Sequence, residues 1–424
     1  MGPDGSEGFI MHGVPTFISR KALAVLCAGA TLMALQPQPA RAAAATDFYT
    51  VSGAQLRGRP GTLIRAEPLT PPAGAQAAYR ILYRSRGAGG ELVAVSGVVA
   101  APAAEARGAP VVTWGHGTTG IAPGCAPSRF PQHDFGSISG LRSLLADGVV
   151  VVATDYQGLG AGTVHPYLDG ASEAHAMIDA VRAARALPGL KAGNRFASWG
   201  FSEGGQASLF TGALARSYAP ELRFEGAAAV SAPTELRRLL ANDIGTPAGE
   251  VIASYAAWSW SETYHLPLGQ VVRAADVPAL EHISTLCSLD TPQRLTLGLS
   301  TFAYGEAGLL RHGTEAGQAL DHGPWGRLIA RNSRPTPRGV PVFLAQGDGD
   351  TLVEPATTRD YARQLCRDGV RLDYQEIPFA SHGQAETASA GAATGWLEAR
   401  LAGVRAPSDC ADAASAPAHR LRTR

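Results

Sequence analysis

The chain has 424 residues, of which 45% are hydrophobic, and its 36 basic residues are balanced by 36 acidic residues. Balanced charge with no basic cluster over the body of the chain argues against a nucleic-acid partner. The length exceeds that of a usual single domain, so we expect two domains or one large domain with a sizeable insertion.

The N-terminus has the composition of a signal peptide. Arg20 and Lys21 precede an apolar run at 22–35, and Ala-Arg-Ala at 40–42 has the small-residue form of a cleavage site. The apolar run is shorter than the roughly 20 residues that a membrane-spanning helix needs. We therefore predict a removable signal peptide at 1–42, no transmembrane segment, and a secreted protein, extracellular or periplasmic. A buried N-terminal helix is the alternative.

From about residue 78 onward, strand-like and helix-like stretches alternate. Helix-like stretches such as 172–187 and 205–217 lie between short apolar runs. This alternation predicts an α/β fold, with a mostly parallel sheet covered by helices on both faces. The predicted strands are 91–100, 111–114, 149–154, 196–199, 227–231, 342–345 and 372–377.

Two of these strands lead into glycine-rich turns. Strand 111–114 runs into Gly-His-Gly-Thr-Thr-Gly at 115–120, and strand 196–199 runs into Gly-Phe-Ser-Glu-Gly at 200–204. A serine between a strand and a helix in such a turn is typical of a nucleophile elbow, here with Ser202 as the nucleophile. Glycines without a Cβ allow the tight turn that holds the serine hydroxyl above the sheet edge.

The alternation stops after residue 232 and resumes near residue 341. The intervening segment is mostly helical in pattern, and 334–338 has the Pro-rich composition of a linker. We predict a hydrolase-like core at 43–232 plus 337–404, a cap or lid insertion at 233–336 and a C-terminal tail at 405–424 that is loose except near Cys410. Three aromatic residues of the cap are candidates for lining a substrate tunnel, although packing in the cap core is the alternative; they are Tyr255, Trp258 and Trp260.

An acid and a histidine follow the last two predicted strands. Strand 342–345 leads into a turn that holds Asp348 and Asp350, and strand 372–377 is followed by His382. Besides His382, the histidine that follows the acid turn is His419, in the tail. The order serine, acid, histidine, each after a strand, is that of the α/β-hydrolase triad.

Cysteine usage also favours export. Loss of Cys27 with the leader leaves an even set of four, Cys125, Cys287, Cys366 and Cys410. Four cysteines allow three pairings, among which sequence does not choose, and buried free thiols are the alternative. We favour Cys366–Cys410, which would tie the tail to the helix after the acid turn, and Cys125–Cys287. No Cys or His spacing resembles a metal site, and we expect no metal or organic cofactor.

In combination, these segments resemble the secretory lipase family, as a bacterial member related to the yeast lipase A type. The resemblance spans roughly residues 45–404 and is carried by 114–120 with 125–128, 155–160 with 165–170, the Ser202 elbow, and the turns at Asp350 and His382. It implies an extracellular carboxylic-ester hydrolase that acts on acylglycerols or similar hydrophobic esters, with a cap over the site.

The same resemblance favours one of the two aspartates. In the family pattern the acid is the third residue after the turn glycine and lies three residues before a valine, a register that Gly347, Asp350 and Val353 match. Asp350 is therefore the expected triad acid, and Asp348 a turn former.

Each expected site residue has a role in ester cleavage. Ser202 would attack the carbonyl carbon while His382 removes its proton, and the backbone N–H groups of Glu203 and Thr118 would form the oxyanion hole. Gly117 is an alternative to Thr118, shifted by one residue. Asp155 and Tyr156 would order loops beside the pocket.

Other functions remain possible on the same scaffold. A short-chain esterase, peptidase, polyester hydrolase or acyltransferase could use the same machinery, because fold and triad leave the substrate open. A non-catalytic binding protein is the hypothesis from a different class, although such proteins commonly lack a triad member. A dehalogenase would need an aspartate where Ser202 stands. The sequence leaves the oligomeric state open.

Overall fold

One nine-stranded sheet organises the computed structural model, which describes residues 47–103, 108–243, 246–288 and 314–411. The strand order across the sheet is β1-β2-β3-β5-β4-β6-β7-β8-β9. Along this order, the neighbouring pairs from β1 as far as β5 are antiparallel, and those from β5 onward, through β4 to β9, are parallel. The strands are β1 (Leu63–Leu69), β2 (Ala75–Arg86), β3 (Leu92–Pro102), β4 (Ala109–Gly115), β5 (Val150–Thr154), β6 (Ala192–Phe201), β7 (Arg223–Val230), β8 (Val342–Gly347) and β9 (Leu372–Ile377).

The central strands are short apolar runs because both faces of the sheet are covered. Every residue of β5 and of β8 is buried, as expected for parallel strands that lie between two helical layers. All seven predicted strands are present, and the predicted mostly parallel sheet with flanking helices is confirmed. Since the strands from β4 to β9 run in one direction, the turns that follow them meet at one edge of the sheet.

The first two strands, β1 and β2, were not predicted. They form an antiparallel edge with β3, and residues of β1 are exposed or only half buried, so the strong apolar signal of the central strands is missing there. The alternation of strand and helix also cannot detect strands that follow each other directly. A local signal was present in the Gly-Ala-Gly-Gly turn at 87–90, which joins β2 to β3 as a hairpin.

Helices cover both faces of this sheet. Helices α4 and α5 pack with Val111 and Phe196 on one face, whereas α3 and α12 pack with Val112 and Trp199 on the other. The described helices are α1 (Gly53–Leu56), α2 (Pro131–Ser137), α3 (Leu141–Ala146), α4 (Gly170–Arg185), α5 (Glu203–Tyr218), α6 (Leu236–Asp243), α7 (Pro247–Tyr264), α8 (Val277–Ser284), α9 (Thr314–Asp321), α10 (Gly323–Arg331), α11 (Pro355–Arg367) and α12 (His382–Leu401).

Between β7 and β8, the described residues form helices α6 to α10 with an apolar core of their own. This core includes Trp260 of α7 and Trp325 of α10, and it packs against Ile121, Tyr167 and Leu168 of loops beside the sheet edge. The helical content agrees with the expected insertion, and its role as a cap stays a prediction.

Two disulfides tie distant parts of the chain. Cys125 is bonded to Cys287, and Cys366 to Cys410, which is the pairing that we favoured. The described end of the tail is also held to β9, since Asp409 N donates to Leu372 O at 2.8 Å. The predicted signal peptide at 1–42 and His419 lie outside the described residues. Within the described ranges, no helix has the length and apolar character needed to cross a membrane.

Candidate active site

Ser202 lies in a strained turn between β6 and α5. Its backbone has φ 53° and ψ −120°, a region that residues with a Cβ rarely adopt and that costs about 1–3 kcal/mol. The turn is held because Ser202 N donates to Val230 O at 2.9 Å, at the end of the neighbouring strand β7. The serine is thereby fixed at the edge where the parallel strands end.

The glycines of this turn are required by space. A Cβ on Gly200 would lie 2.0 Å from Gly204 O, and a Cβ on Gly204 would lie 1.9 Å from Gly115 O. Neither Gly200 nor Gly204 has a positive φ, so the strained conformation belongs to Ser202 itself. Gly200 is therefore required because the end of β6 lies against the first turn of α5, and Gly204 because α5 lies against the end of β4.

Ser202, His382 and Asp350 form one hydrogen-bonded series. His382 Nε2 lies 2.9 Å from Ser202 Oγ, and His382 Nδ1 lies 2.8 Å from Asp350 Oδ2. The three residues come from the ends of three different strands, β6, β8 and β9, and are brought together by the parallel sheet. The arrangement is that of a nucleophile, a general base and the group that orients the base.

The surroundings of Asp350 keep it ionised. Burial by itself would raise its pKa, but the hydrogen bond and charge of His382, together with the N–H groups of Val353 and Leu352, lower the pKa below its ordinary value. Both N–H groups donate to Asp350 Oδ1 at 2.9 Å, and Gln346 Nε2 donates to Oδ2 at 2.8 Å.

Asp348 lies in the same turn but points elsewhere. Its side chain accepts a hydrogen bond from Phe379 N, in the turn that precedes His382. The structure thus brings Asp350 to the histidine and uses Asp348 to join two turns.

The two expected oxyanion-hole residues lie beside Ser202. Glu203 is the first residue of α5, and the first amides of a helix have no partner within it and carry partial positive charge. Thr118 lines the same cavity as Ser202 and His382, and its carbonyl accepts from Ser288 Oγ at 2.6 Å. Gly117 lines this cavity as well, so the alternative register stays open.

A cavity of about 470 Å³ opens over Ser202. Its apolar wall includes Trp114, Phe201, Ile252 and Leu352, and its polar wall includes His133, Ser137, Ser139 and Glu386. Glu386, which lies one helical turn after His382, was not predicted from the sequence. Burial raises the pKa of Glu386, and Ser139 Oγ donates to its carboxylate at 2.6 Å.

The three aromatic residues proposed as a tunnel do not line this cavity. Tyr255 and Trp260 are 0% and 1% exposed and belong to the core of the helical insertion, and Trp258 packs partly buried against the same core. From α7, Ile252 reaches the cavity. The structure therefore agrees with the packing alternative, because the apolar face of α7 points into its own helical layer.

Asp155 joins strand β3 to the segment around residue 128, which agrees with an ordering role. It accepts from Ser128 N at 2.9 Å and from Ser96 Oγ at 2.5 Å. Tyr156 has a φ of 68°, and its hydroxyl donates to His116 O at 3.1 Å.

A buried polar cluster that sequence reasoning missed lies behind Ser202. His165 Nε2 is 2.8 Å from Glu203 Oε1 and 3.8 Å from Glu173 Oε1, and the three side chains are at most 1% exposed. One nitrogen and two carboxylate oxygens lie within 4.8 Å of one another, a spacing that could also hold a cation. Burial and the charges of Glu203 and Asp169 raise the pKa of Glu173.

The chain is similar to several known proteins. The family model described as secretory lipase matches residues 130–409. Lipase A of Arthroderma benhamiae is 26% identical over 392 residues, which cover 86% of this chain and 80% of that protein. A probable inactive lipase of Mycobacterium tuberculosis is 24% identical over 394 residues, with 84% and 82% covered.

Solved structures show the same fold. Candida antarctica lipase A in its closed state has a TM-score of 0.69 at 21% identity, with 84% of this chain and 85% of that chain covered. The rice cell wall degrading esterase LipA from Xanthomonas oryzae has a TM-score of 0.66 at 22% identity, with 81% and 97% covered. The architecture is the α/β-hydrolase fold that the sequence predicts.

Proposed function

Because the chain belongs to the secretory lipase family, and is thus a carboxylic-ester hydrolase, we propose that it is a secreted lipase that cleaves acylglycerols through an acyl-enzyme on Ser202. The observation that supports this most strongly is the hydrogen-bonded series from Ser202 through His382 to Asp350. One relative is named a probable inactive lipase, so the intact series in this chain is what favours activity.

Acylation begins when an ester carbonyl lies against Ser202. His382 Nδ1–H donates a hydrogen bond to Asp350, so the lone pair of the ring lies on Nε2, 2.9 Å from Ser202 Oγ. His382 takes the serine proton as Oγ bonds to the carbonyl carbon. The oxyanion that forms is stabilised by the N–H groups of Glu203 and Thr118, each of which contributes about 2.7–4 kcal/mol if it resembles measured oxyanion donors.

Collapse of this intermediate releases the alcohol. His382 returns the proton to the alkoxide oxygen as the carbon–oxygen bond breaks, and the acyl group stays on Ser202. A water molecule then gives a proton to His382 as its oxygen bonds to the acyl carbon. The bond between that carbon and Ser202 Oγ breaks, His382 returns the proton to Oγ, and the carboxylic acid leaves. The side chains of the chain supply every proton transfer in this sequence.

The cavity supports a hydrophobic acyl group. Trp114, Phe201, Ile252 and Leu352 form an apolar wall next to Ser202, and the volume of about 470 Å³ lies within the usual range of small-molecule sites. A cap formed by the insertion 233–336 would then cover the bound chain.

A second candidate function is an esterase that prefers short or polar esters. The polar wall of the cavity includes Ser137, Ser139 and Glu386, and Tyr255, Trp258 and Trp260 do not line this cavity. One protein of the same fold is named a cell wall degrading esterase, which is the kind of activity that such a wall would suit.

Secretion is supported by two independent features. Two disulfides join Cys125 to Cys287 and Cys366 to Cys410, and such bonds persist in oxidising compartments. The family is a secretory one. Both agree with the signal peptide predicted at 1–42.

The test is hydrolysis of p-nitrophenyl esters from acetate to palmitate, and of emulsified triolein, by the mature protein. The Ser202→Ala variant is compared with Ser217→Ala, an exposed serine on the same helix α5. Activity on long chains that is lost in Ser202→Ala and kept in Ser217→Ala supports the lipase. Activity restricted to short esters supports the esterase, and equal activity in both variants rules out Ser202 as the nucleophile.

A further inference from the structure

The segment His165-Pro166-Tyr167 contacts both residues of the expected oxyanion hole. His165 Nε2 lies 2.8 Å from Glu203 Oε1, and the Tyr167 hydroxyl lies 2.8 Å from Thr118 Oγ1. Glu203 and Thr118 come from different parts of the chain, after β6 and β4 respectively. One three-residue segment therefore joins the two sides of the site through side-chain hydrogen bonds.

This bracing segment, residues 165–167, is itself rigidly held. His165 Nδ1 lies 2.8 Å from Gln157 O, and the His165 ring stacks on Tyr156 with centroids 5.5 Å apart. The His165 and Tyr167 side chains are completely buried or nearly so. A buried and fully packed tether has few alternative rotamers, so it can fix the position of the groups that it contacts.

The segment is also bonded to helix α7 of the insertion. Ser259 Oγ donates to His165 O at 2.5 Å and accepts from Tyr167 N at 2.8 Å, and Trp260 Nε1 donates to Tyr167 O at 2.7 Å. Ser259 and Trp260 are buried, and the polar groups of both side chains are satisfied by these bonds to the backbone of residues 165 and 167.

A proton must be shared between His165 and Glu203. Gln157 O can only accept a hydrogen bond, so His165 Nδ1 carries a hydrogen. The 2.8 Å contact between Nε2 and Glu203 Oε1 then needs one further proton, whichever of the two atoms holds it. The contact is a charge-assisted or acid-to-imidazole hydrogen bond, both of which are stronger and more directional than a bond between neutral groups.

We propose that His165 and Tyr167 are positioning residues that set the two oxyanion-hole N–H groups through the side chains of Glu203 and Thr118, and that α7 holds them in place. The inference rests on the proposed function, because it takes Ser202 as the nucleophile and these two amides as the donors. Donors act on the oxyanion only when they lie about 2.7–3.1 Å from its position. A tether on each donor residue keeps that distance fixed.

The Tyr167 arm is tested with Tyr167→Phe, Thr118→Val and the double variant, assayed for kcat and KM on one p-nitrophenyl ester. We expect each single variant to lower kcat by roughly 10-fold, less than the 10²–10³ measured for loss of a whole donor, with KM nearly unchanged. The double variant should lose no more than either single variant, because both remove the same bond. Thr118→Ser, which keeps the hydroxyl, should lose less than Thr118→Val.

Additive losses in the double variant, or a change confined to KM, would overturn the Tyr167 arm. A wild-type kcat in Tyr167→Phe would also overturn the Tyr167 arm. Ser202→Ala is measured alongside, and if it is inactive, the proposed function still stands although the Tyr167 arm has failed. Thermal unfolding of each variant shows whether a loss of kcat arises from partial unfolding of the protein.

The His165 arm is tested with His165→Asn and Glu203→Gln in the same assay. Glu203→Gln keeps a donor that can reach Nε2, so we expect it to lose less kcat than His165→Asn. Elemental analysis of the wild-type protein checks the competing explanation. A stoichiometric divalent metal that disappears in His165→Asn would make this cluster a metal site and would overturn the assignment of a shared proton.

Discussion

At the scale of single residues, the turn after β8 shows how different surroundings give two aspartates different roles. Asp350 is almost fully buried and receives hydrogen bonds from two backbone N–H groups, from Gln346 and from His382. Asp348 is exposed and bonds to Phe379 N. Only the register of the family pattern pointed to Asp350 from the sequence, because composition and spacing place both carboxylates in the same turn.

This difference predicts unequal effects of two matched substitutions. Asp350→Asn should lower kcat by about 10⁴-fold, since an amide in this position favours the wrong histidine tautomer. Asp348→Asn keeps an oxygen that can accept from Phe379 N, so its kcat should stay within a few-fold of the wild type. Steady-state kinetics on one ester decide the matter, and equal losses in the two variants would contradict the assignment of the acid.

Glu386 should make the stability of the fold depend on pH. Burial raises the pKa of Glu386 in the folded protein, and the hydrogen bond from Ser139 and the charge of nearby His382 oppose that rise. Because the folded pKa lies above the unfolded value of about 4.3, ionisation of Glu386 disfavours the folded state as the pH rises. Glu386→Gln removes this group, so we expect its free energy of unfolding, relative to the wild type, to increase from acidic to neutral pH. The exposed Glu262→Gln is the control, and a pH-independent difference between Glu386→Gln and the wild type would contradict the raised pKa.

The same scale shows where sequence reasoning fails. Ser202 and His382 could be identified because each follows a strand and belongs to a recognisable turn. The inward direction of Tyr255 and Trp260 could not be predicted. The sequence of a helix does not show whether an aromatic side chain faces a cavity or a neighbouring helix. The contacts of His165 were also hidden, because its partners Glu203 and Glu173 are brought together only by the packing of α4 on α5.

At the scale of elements, the contact between α5 and the end of β4 restricts the turn that holds Ser202. Gly204 lies so close to Gly115 that even a methyl group has no room. Substitutions that overpack a core typically cost about 1–3 kcal/mol, and here the obstacle is backbone, which cannot move aside without opening the site.

Gly204→Ala should therefore lower the free energy of unfolding by about 3 kcal/mol or more and abolish activity. Gly391→Ala is the matched control, since Gly391 is in α12 with nothing within 4 Å of its added Cβ. Alanine in a helix interior should stabilise that variant by up to about 1 kcal/mol. Denaturant unfolding measures both changes, and equal stability of the two variants would contradict the close contact.

The sheet itself was predicted to different degrees along its width. Strands β3 to β8 could be predicted because each contains a short apolar run that is buried on both faces. Strand β9 could be predicted because apolar and polar residues alternate along it. Strands β1 and β2 could not, because an antiparallel edge that is half exposed carries little hydrophobic signal. Since the site lies at the ends of the predicted strands, its location did not depend on the two strands that were missed.

At the scale of the whole molecule, the two disulfides lie in different places relative to the site. Cys125–Cys287 joins the loop after β4 to the segment that follows α8, next to Gly120 and Leu286. Cys366–Cys410 holds the tail against α11, far along the chain from the Ser202 turn. Stability and activity should therefore respond differently to their removal.

Replacement of Cys366 and Cys410 by serine should lower stability with little change in kcat. The bond closes a loop of 44 residues, for which chain-entropy arguments give about 4 kcal/mol. Thermal unfolding and ester hydrolysis below the unfolding transition measure the two effects. A large loss of kcat in the folded variant would contradict the separation of this bond from the site.

The central claim is that a single serine, Ser202, forms the covalent intermediate of an ester hydrolase. Reaction with a fluorophosphonate, followed by mass spectrometry of the intact protein and of its peptides, tests this claim most directly. We predict one adduct per chain, on the peptide that contains Ser202, with hydrolytic activity lost in proportion to labelling and no adduct in Ser202→Ala. An adduct on another residue, or full activity after complete labelling of Ser202, would contradict the account.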